Sequence, residues 1–211
     1  MDFDKFLENE SKKFEQGIES HFKKRKEWEA FISLSKPYFE TICKRAKTYK
    51  LFENLYVMDS KEHEHSKKSL PFITLLWGQH PTGYSTIENS QKFGIEKGCA
   101  LHFSQNIFGM VSCILYPFSS DFHQPNEKYY IYKMYKSPSD ITKDQLDKAI
   151  KLMFVFAHNS SFFGSPDIKD KFWLFTIKCL STIKKIKYSE IIKPIFALLK
   201  NIIKKHANPA S

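Results

Sequence analysis

The spacing of apolar residues changes twice along this chain, and those two changes constrain the fold more than any other feature. Over residues 2 to about 50, Phe3, Leu7, Phe14, Ile18, Phe22, Trp28 and Ile32 recur close to a 3.6-residue period, with Lys12, Lys13, Lys23, Lys24 and Lys26 filling much of the rest. From about Asn54 to Lys136 the period becomes two, and Gly, Pro, Asn and Ser mark the joints. From Ile141 onward the helical period returns. A helical start, consecutive strands with no helix between them and a helical end predict an α+β fold, an antiparallel sheet of about five strands flanked by N-terminal and C-terminal helices. No linker is long or polar enough to divide it, so one domain is expected over 1–211, helical in 1–50, sheet in 54–136 and helical again in 140–206.

Punctuation residues refine the elements. Ser35-Lys36-Pro37 predicts a break that ends a first helix and opens a second, because proline is tolerated in a first turn and serine is a good N-cap. The strands are predicted at Asn54–Asp59, Phe72–Trp77, Cys99–Gln105, Gly109–Tyr116 and Lys128–Tyr135. Gln105-Asn106-Ile107-Phe108-Gly109 supplies the turn chemistry for a hairpin between the third and fourth. Thr142 and Gln145 form a capping box with Ile141 and Leu146 as a hydrophobic staple, and Leu146, Ala149, Ile150, Met153, Phe154 and Ala157 then line one face of a core helix. Two more helices are expected, near 169–187 and 190–205.

Charge is distributed unevenly. The 211 residues carry a formal net charge of +10, yet the 41 residues from Lys171 to Ser211 hold nine lysines and one acid, Glu190. The remaining 170 residues are therefore nearly neutral. Arg25 and Arg45 are the only arginines. Arginine supplies the planar fork that reads base edges, whereas lysine is a hydrated point charge, so sequence-specific DNA recognition is disfavoured and diffuse contact with an acidic surface is retained. The same lysine-rich, phenylalanine-rich composition suits AT-rich coding sequence, and so a mobile-element or host-defence setting. The four cysteines, Cys43, Cys99, Cys113 and Cys179, are scattered in a chain large enough to build a core without staples, and read as reduced thiols of a cytoplasmic protein. No stretch has the length of a transmembrane segment, and the acidic N-terminus lacks the features of a signal peptide.

Few residues carry obvious chemistry. Glu62-His63-Glu64-His65 has metal-ligand character through His63 and His65, but the run lies among lysines between two strands, with no third ligand indicated, and reads as a solvated loop. His80, in the loop Trp77 to Gly83, and His102, within a strand, could each serve as a base for Cys99 or Ser104, although nothing in the spacing brings them together. No nucleophile elbow, phosphate-binding glycine loop, H-E-x-x-H or C-x-x-C is present. Tyr129, Tyr130, Tyr132 and Tyr135 among Lys128, Lys133 and Lys136 resemble a stacking platform in composition only; alternation puts Tyr130 and Tyr132 on one face and Tyr129 and Tyr135 on the other.

The expected function is therefore a non-enzymatic interaction or accessory protein with no cofactor. Its working surface is the lysine-rich end: Lys184, Lys185, Lys187, Lys193, Lys200, Lys204 and Lys205. The expected partner is an acidic protein or complex subunit, with non-specific nucleic acid and a peripheral anionic membrane as further acidic surfaces. A small hydrolase or transferase with its site near Trp77–Gly83 and His102 is the alternative.

Overall fold

In the computed structural model, residues 3–49, 54–61, 70–85, 93–179 and 181–183 are described. They contain α1 (Phe3–Ala46), β1 (Leu55–Asp59), β2 (Phe72–Trp77), β3 (His80–Ser85), β4 (Phe93–Glu96), β5 (Ala100–Gln105), β6 (Val111–Tyr116), β7 (Tyr130–Tyr135), a 3₁₀ turn (Pro138–Asp140) and α2 (Lys143–Ser160). A third helix, α3, runs over 168–179 and is helical again at 181–183. The fold is α+β. Five strands form an antiparallel sheet in the order β1-β2-β5-β6-β7, and β3 pairs with β4 as a separate two-stranded sheet.

The large sheet buries one face more deeply than the other, as the alternation demands. Ile73, Leu75, Leu101, Phe103, Val111, Cys113 and Leu115 are fully buried on the core face. Against them lie Phe31, Phe39 and Cys43 from α1 and Leu146, Ala149, Ile150, Met153 and Phe156 from α2, in one continuous cluster. Polar ties fix the layers. The Tyr38 hydroxyl of α1 donates to Asp147 of α2, Lys36 pairs with the buried Asp59 of β1 at 3.0 Å, and the Ser137 and Ser139 hydroxyls donate to Glu27.

The predicted break at Ser35-Lys36-Pro37 does not occur: α1 is one helix of 44 residues with Pro37 inside it. A proline there removes one backbone hydrogen bond and costs about 3 kcal/mol. The cost is offset because Phe31, Ser35, Phe39, Cys43 and Ala46, spaced by three or four residues across the proline, are all buried, so breaking the helix would pull half of that stripe off the sheet. Pro37 itself points to solvent. Ser35 caps nothing and instead donates from its hydroxyl to the Phe31 carbonyl at 2.7 Å.

The β5–β6 hairpin turns where expected. Asn106 Oδ1 accepts from the amides of Phe108 and Met110, and Gly109 takes φ +75° while packing its bare Cα against the Lys24 side chain of α1. The Thr142 hydroxyl accepts from the Gln145 amide, but the Gln145 side chain reaches the Asp140 carbonyl, so the box is closed on one side only. On β7, Tyr132 is the extra residue of a bulge, since Cys113 pairs with Lys133 and Ile114 with Ile131. The bulge shifts the alternation by one, and Tyr130 and Tyr135 are both buried against the core instead of lying on opposite faces.

Candidate functional site

The β3–β4 hairpin, which the sequence pattern does not announce, builds the most developed polar site among the described residues. His80 opens β3 directly across from Glu96 at the end of β4. Gly98 then lets the chain pass so close to the end of β2 that a Cβ there would lie 1.1 Å from the Trp77 carbonyl oxygen. The consequence is that Glu96 is driven completely inside, with no exposed surface.

A buried carboxylate is costly unless every lone pair is used. Here Glu96 Oε2 accepts from His80 Nε2 at 2.8 Å and from the Ser161 hydroxyl at 2.8 Å, and Oε1 accepts from the Phe162 amide at 2.6 Å. The loop that follows α2 is thereby clamped to the β3–β4 hairpin. His80 meets Phe118 edge-on and Phe163 at a tilt, with ring centroids 5.5 Å from each. It lines a cleft of about 450 Å³ with Trp77 and Phe118 beneath, and Asn54, His158, Ser161, Phe163, Gly164 and Ser165 around the rim. The Nε2 contact with Glu96 fixes the ring's orientation in the cleft. The arrangement can orient an imidazole in a part-apolar cleft, the minimum for a general base.

The other candidates lie elsewhere. The Cys99 thiol is fully buried 3.9 Å from the Met153 carbonyl, and burial pushes its pKa far above the usual thiol range, which makes it a packing residue in place of a nucleophile. His102 points to the opposite face of the sheet from Cys99. It shares a 2.7 Å hydrogen bond with the Thr74 hydroxyl, stacks on Phe72 at 5.4 Å and meets the edge of Tyr116. Ser104 is two residues along on that same outer face, paired with Phe72 and Ser112 across the ladder. Of the four residues, only His80 enters the cleft. Glu96, His158 and Ser161 are the site residues that alternation and motif reading passed over. Their signal is faint, an acid ending a short apolar-polar alternation, Phe93-Gly94-Ile95-Glu96.

His63 and His65, and Lys184, Lys185, Lys187, Lys193, Lys200, Lys204 and Lys205, lie outside the described residues. Among the described residues no group of three His, Cys, Asp or Glu side chains could hold a metal ion, and no helix is long and apolar enough to cross a membrane. What is described of the lysine-rich end is its head, α3. That helix buries Ile177 and presents Phe172, Trp173 and Phe175, exposed by 69%, 56% and 64%, among the exposed Lys169, Lys171 and Lys178. The Ser181 hydroxyl accepts from the Ile131 amide and fixes the helix to the β7 edge. No protein-family model, curated protein or solved structure matches this chain.

Proposed function

We propose that this protein is a non-enzymatic interaction or accessory module that docks on an acidic partner surface, first of all an acidic protein, through its lysine-rich end. The observation that supports this reading is the aromatic and basic surface of α3. Lysines alone would be weak: at about 1 kcal/mol each near an anionic surface, Lys193, Lys200 and Lys204 give affinity of about millimolar order. Burying Phe172, Trp173 and Phe175 against a partner adds about 2 kcal/mol apiece, which moves the sum to micromolar or tighter. Apolar anchors ringed by hydrated cations are the composition of a docking surface.

The test is binding of the full chain, at low salt, to three acidic probes: polyglutamate, anionic vesicles and duplex DNA. The wild type should bind polyglutamate with an affinity that falls steeply with added salt. Lys193→Glu, Lys200→Glu, Lys204→Glu and Lys205→Glu in one chain should abolish that binding, and Trp173→Ala should weaken it at least tenfold. A wild type that binds none of the three would sink the reading, and binding to vesicles or DNA alone would replace the protein partner with that surface.

The His80–Glu96 cleft favours a second reading, a small hydrolase or transferase with His80 as its base. It requires that the protein cleave activated esters and that His80→Gln remove the cleavage while the melting temperature stays within a few degrees.

A further inference from the structure

The N-terminal half of α1 carries an apolar stripe with nothing from the described body against it. The first buried residue of this helix is Trp28, and from Phe3 to Lys23 every residue is exposed except Glu10, which is half-buried. Phe3, Leu7, Phe14, Ile18 and Phe22 nevertheless keep a helical spacing, exposed by 67%, 49%, 72%, 55% and 56%. A shallow groove runs along that stripe between Phe14 and Phe22, floored by Gly17. Scattered apolar residues on a surface need no explanation, but a line of five along about 30 Å of helix does.

The charges beside the stripe point to what covers it. Between Phe3 and Glu19 there are five acids and three lysines, whereas the next seven residues contain Lys23, Lys24, Arg25 and Lys26 and no acid. The Lys12–Glu8 and Lys13–Glu10 pairs cancel within the helix, so Asp4, Glu15 and Glu19 against Lys5 carry the net negative charge of this segment. The helix is thus net acidic up to Glu19 and basic where it meets the body. Two copies laid antiparallel place each acidic tip on the other's basic root, while a parallel pair would set acid on acid and base on base. The stripe is also long enough. With an aromatic side chain supplying 150–250 Å² when fully exposed, the exposed part of these residues amounts to roughly 600 Å² per copy, so a pair buries at most about 1,200 Å², the lower end of the range for specific interfaces and the size of a weak, reversible one.

We infer that residues 3–25 of α1 form an antiparallel helix pair with the same segment of a second copy, about a two-fold axis near Phe14. The pairing is isologous, with each copy giving and receiving the same surface. It is independent of the lysine-rich end and of the His80 cleft.

Sedimentation velocity of the full chain across a hundredfold range of concentration tests it. A reversible dimer is expected, and Phe14→Glu with Ile18→Glu should raise its dissociation constant about a hundredfold or more, as expected of central anchors. Both side chains are exposed, so far-ultraviolet dichroism and the melting temperature of the dilute monomer should match wild type. Orientation is read by spin labels on Lys5→Cys in a Cys179→Ser background. Antiparallel pairing separates the two labels by about 30 Å along the axis, and parallel pairing brings them within about 15 Å. A wild type that is monomeric throughout, a dimer unaffected by the double substitution, or the short label distance each overturns the inference.

Discussion

His102 illustrates how position on the pleat decides protonation. It sits on the half-buried face of β5, against Phe72, Thr74 and Tyr116, and burial pushes its pKa down from the usual 6.5 to about 4. The folded protein therefore keeps this imidazole neutral in a range where the unfolded chain would protonate it. Between pH 6.5 and 4 the unfolded state binds more protons, so stability rises with pH across that window and is lost as pH falls through it. A shift of this size is worth about 3 kcal/mol. Urea unfolding at pH 7.5 and pH 4.5 should show a loss in the wild type that exceeds the loss in His102→Gln by about 2 kcal/mol. Equal losses in the two proteins would mean that His102 is solvated in the native state. Glu96 shows the opposite solution to burial, since it enters the interior with three donors already in place.

Among the elements, Pro37 is the residue at which local preference and tertiary packing disagree. Its side chain is exposed, and the burial of Phe31, Phe39 and Cys43 on the facing side keeps the helix continuous. Replacing it should relieve a local cost without disturbing a core contact. Pro37→Ala is expected to raise stability by about 1–3 kcal/mol, read as a higher denaturant midpoint at unchanged slope. A lower midpoint would show that the proline positions the stripe.

That conflict also explains how far the sequence reports the fold. Phe72–Trp77 is legible to the residue, and the other four strands of the large sheet to within two, because each buries one face and so must alternate. The α1 break is misread because Ser-Lys-Pro is a local signal, and it is outweighed by distant residues such as Phe103, which packs on Phe31 and Phe39 from either side of the proline. The β3–β4 hairpin is illegible because Pro81, Gly83 and Gly94 are the residues that normally argue against a strand. With the hairpin went Glu96, and with Glu96 the one polar cluster of the His80 cleft. The bulge at Tyr132 leaves no mark in the sequence, and a one-residue slip is enough to move Tyr135 to the other face.

At the scale of the molecule, α1 joins two environments in one helix. Its second half is fastened to the core by Trp28, Phe31, Phe39 and Cys43, and by the Tyr38 and Lys36 contacts to α2 and β1. The described contacts of residues 3–23 are the helix's own hydrogen bonds, the Lys12–Glu8 and Lys13–Glu10 pairs and ring contacts between neighbours on the same helix, and an isolated helix of about twenty residues is marginal in water. Amide exchange should therefore split the element. In dilute solution, amides before Lys23 should exchange orders of magnitude faster than those between Phe31 and Cys43, which open only with the core. Raising the concentration should slow the first set and leave the second unchanged, because association lends the tip the apolar cover it lacks alone. The boundary of the concentration-sensitive set should fall near Arg25, where the basic root meets the acidic tip of the second copy. Uniform protection along α1 at the lowest concentration would instead place the cover for the stripe within a single chain.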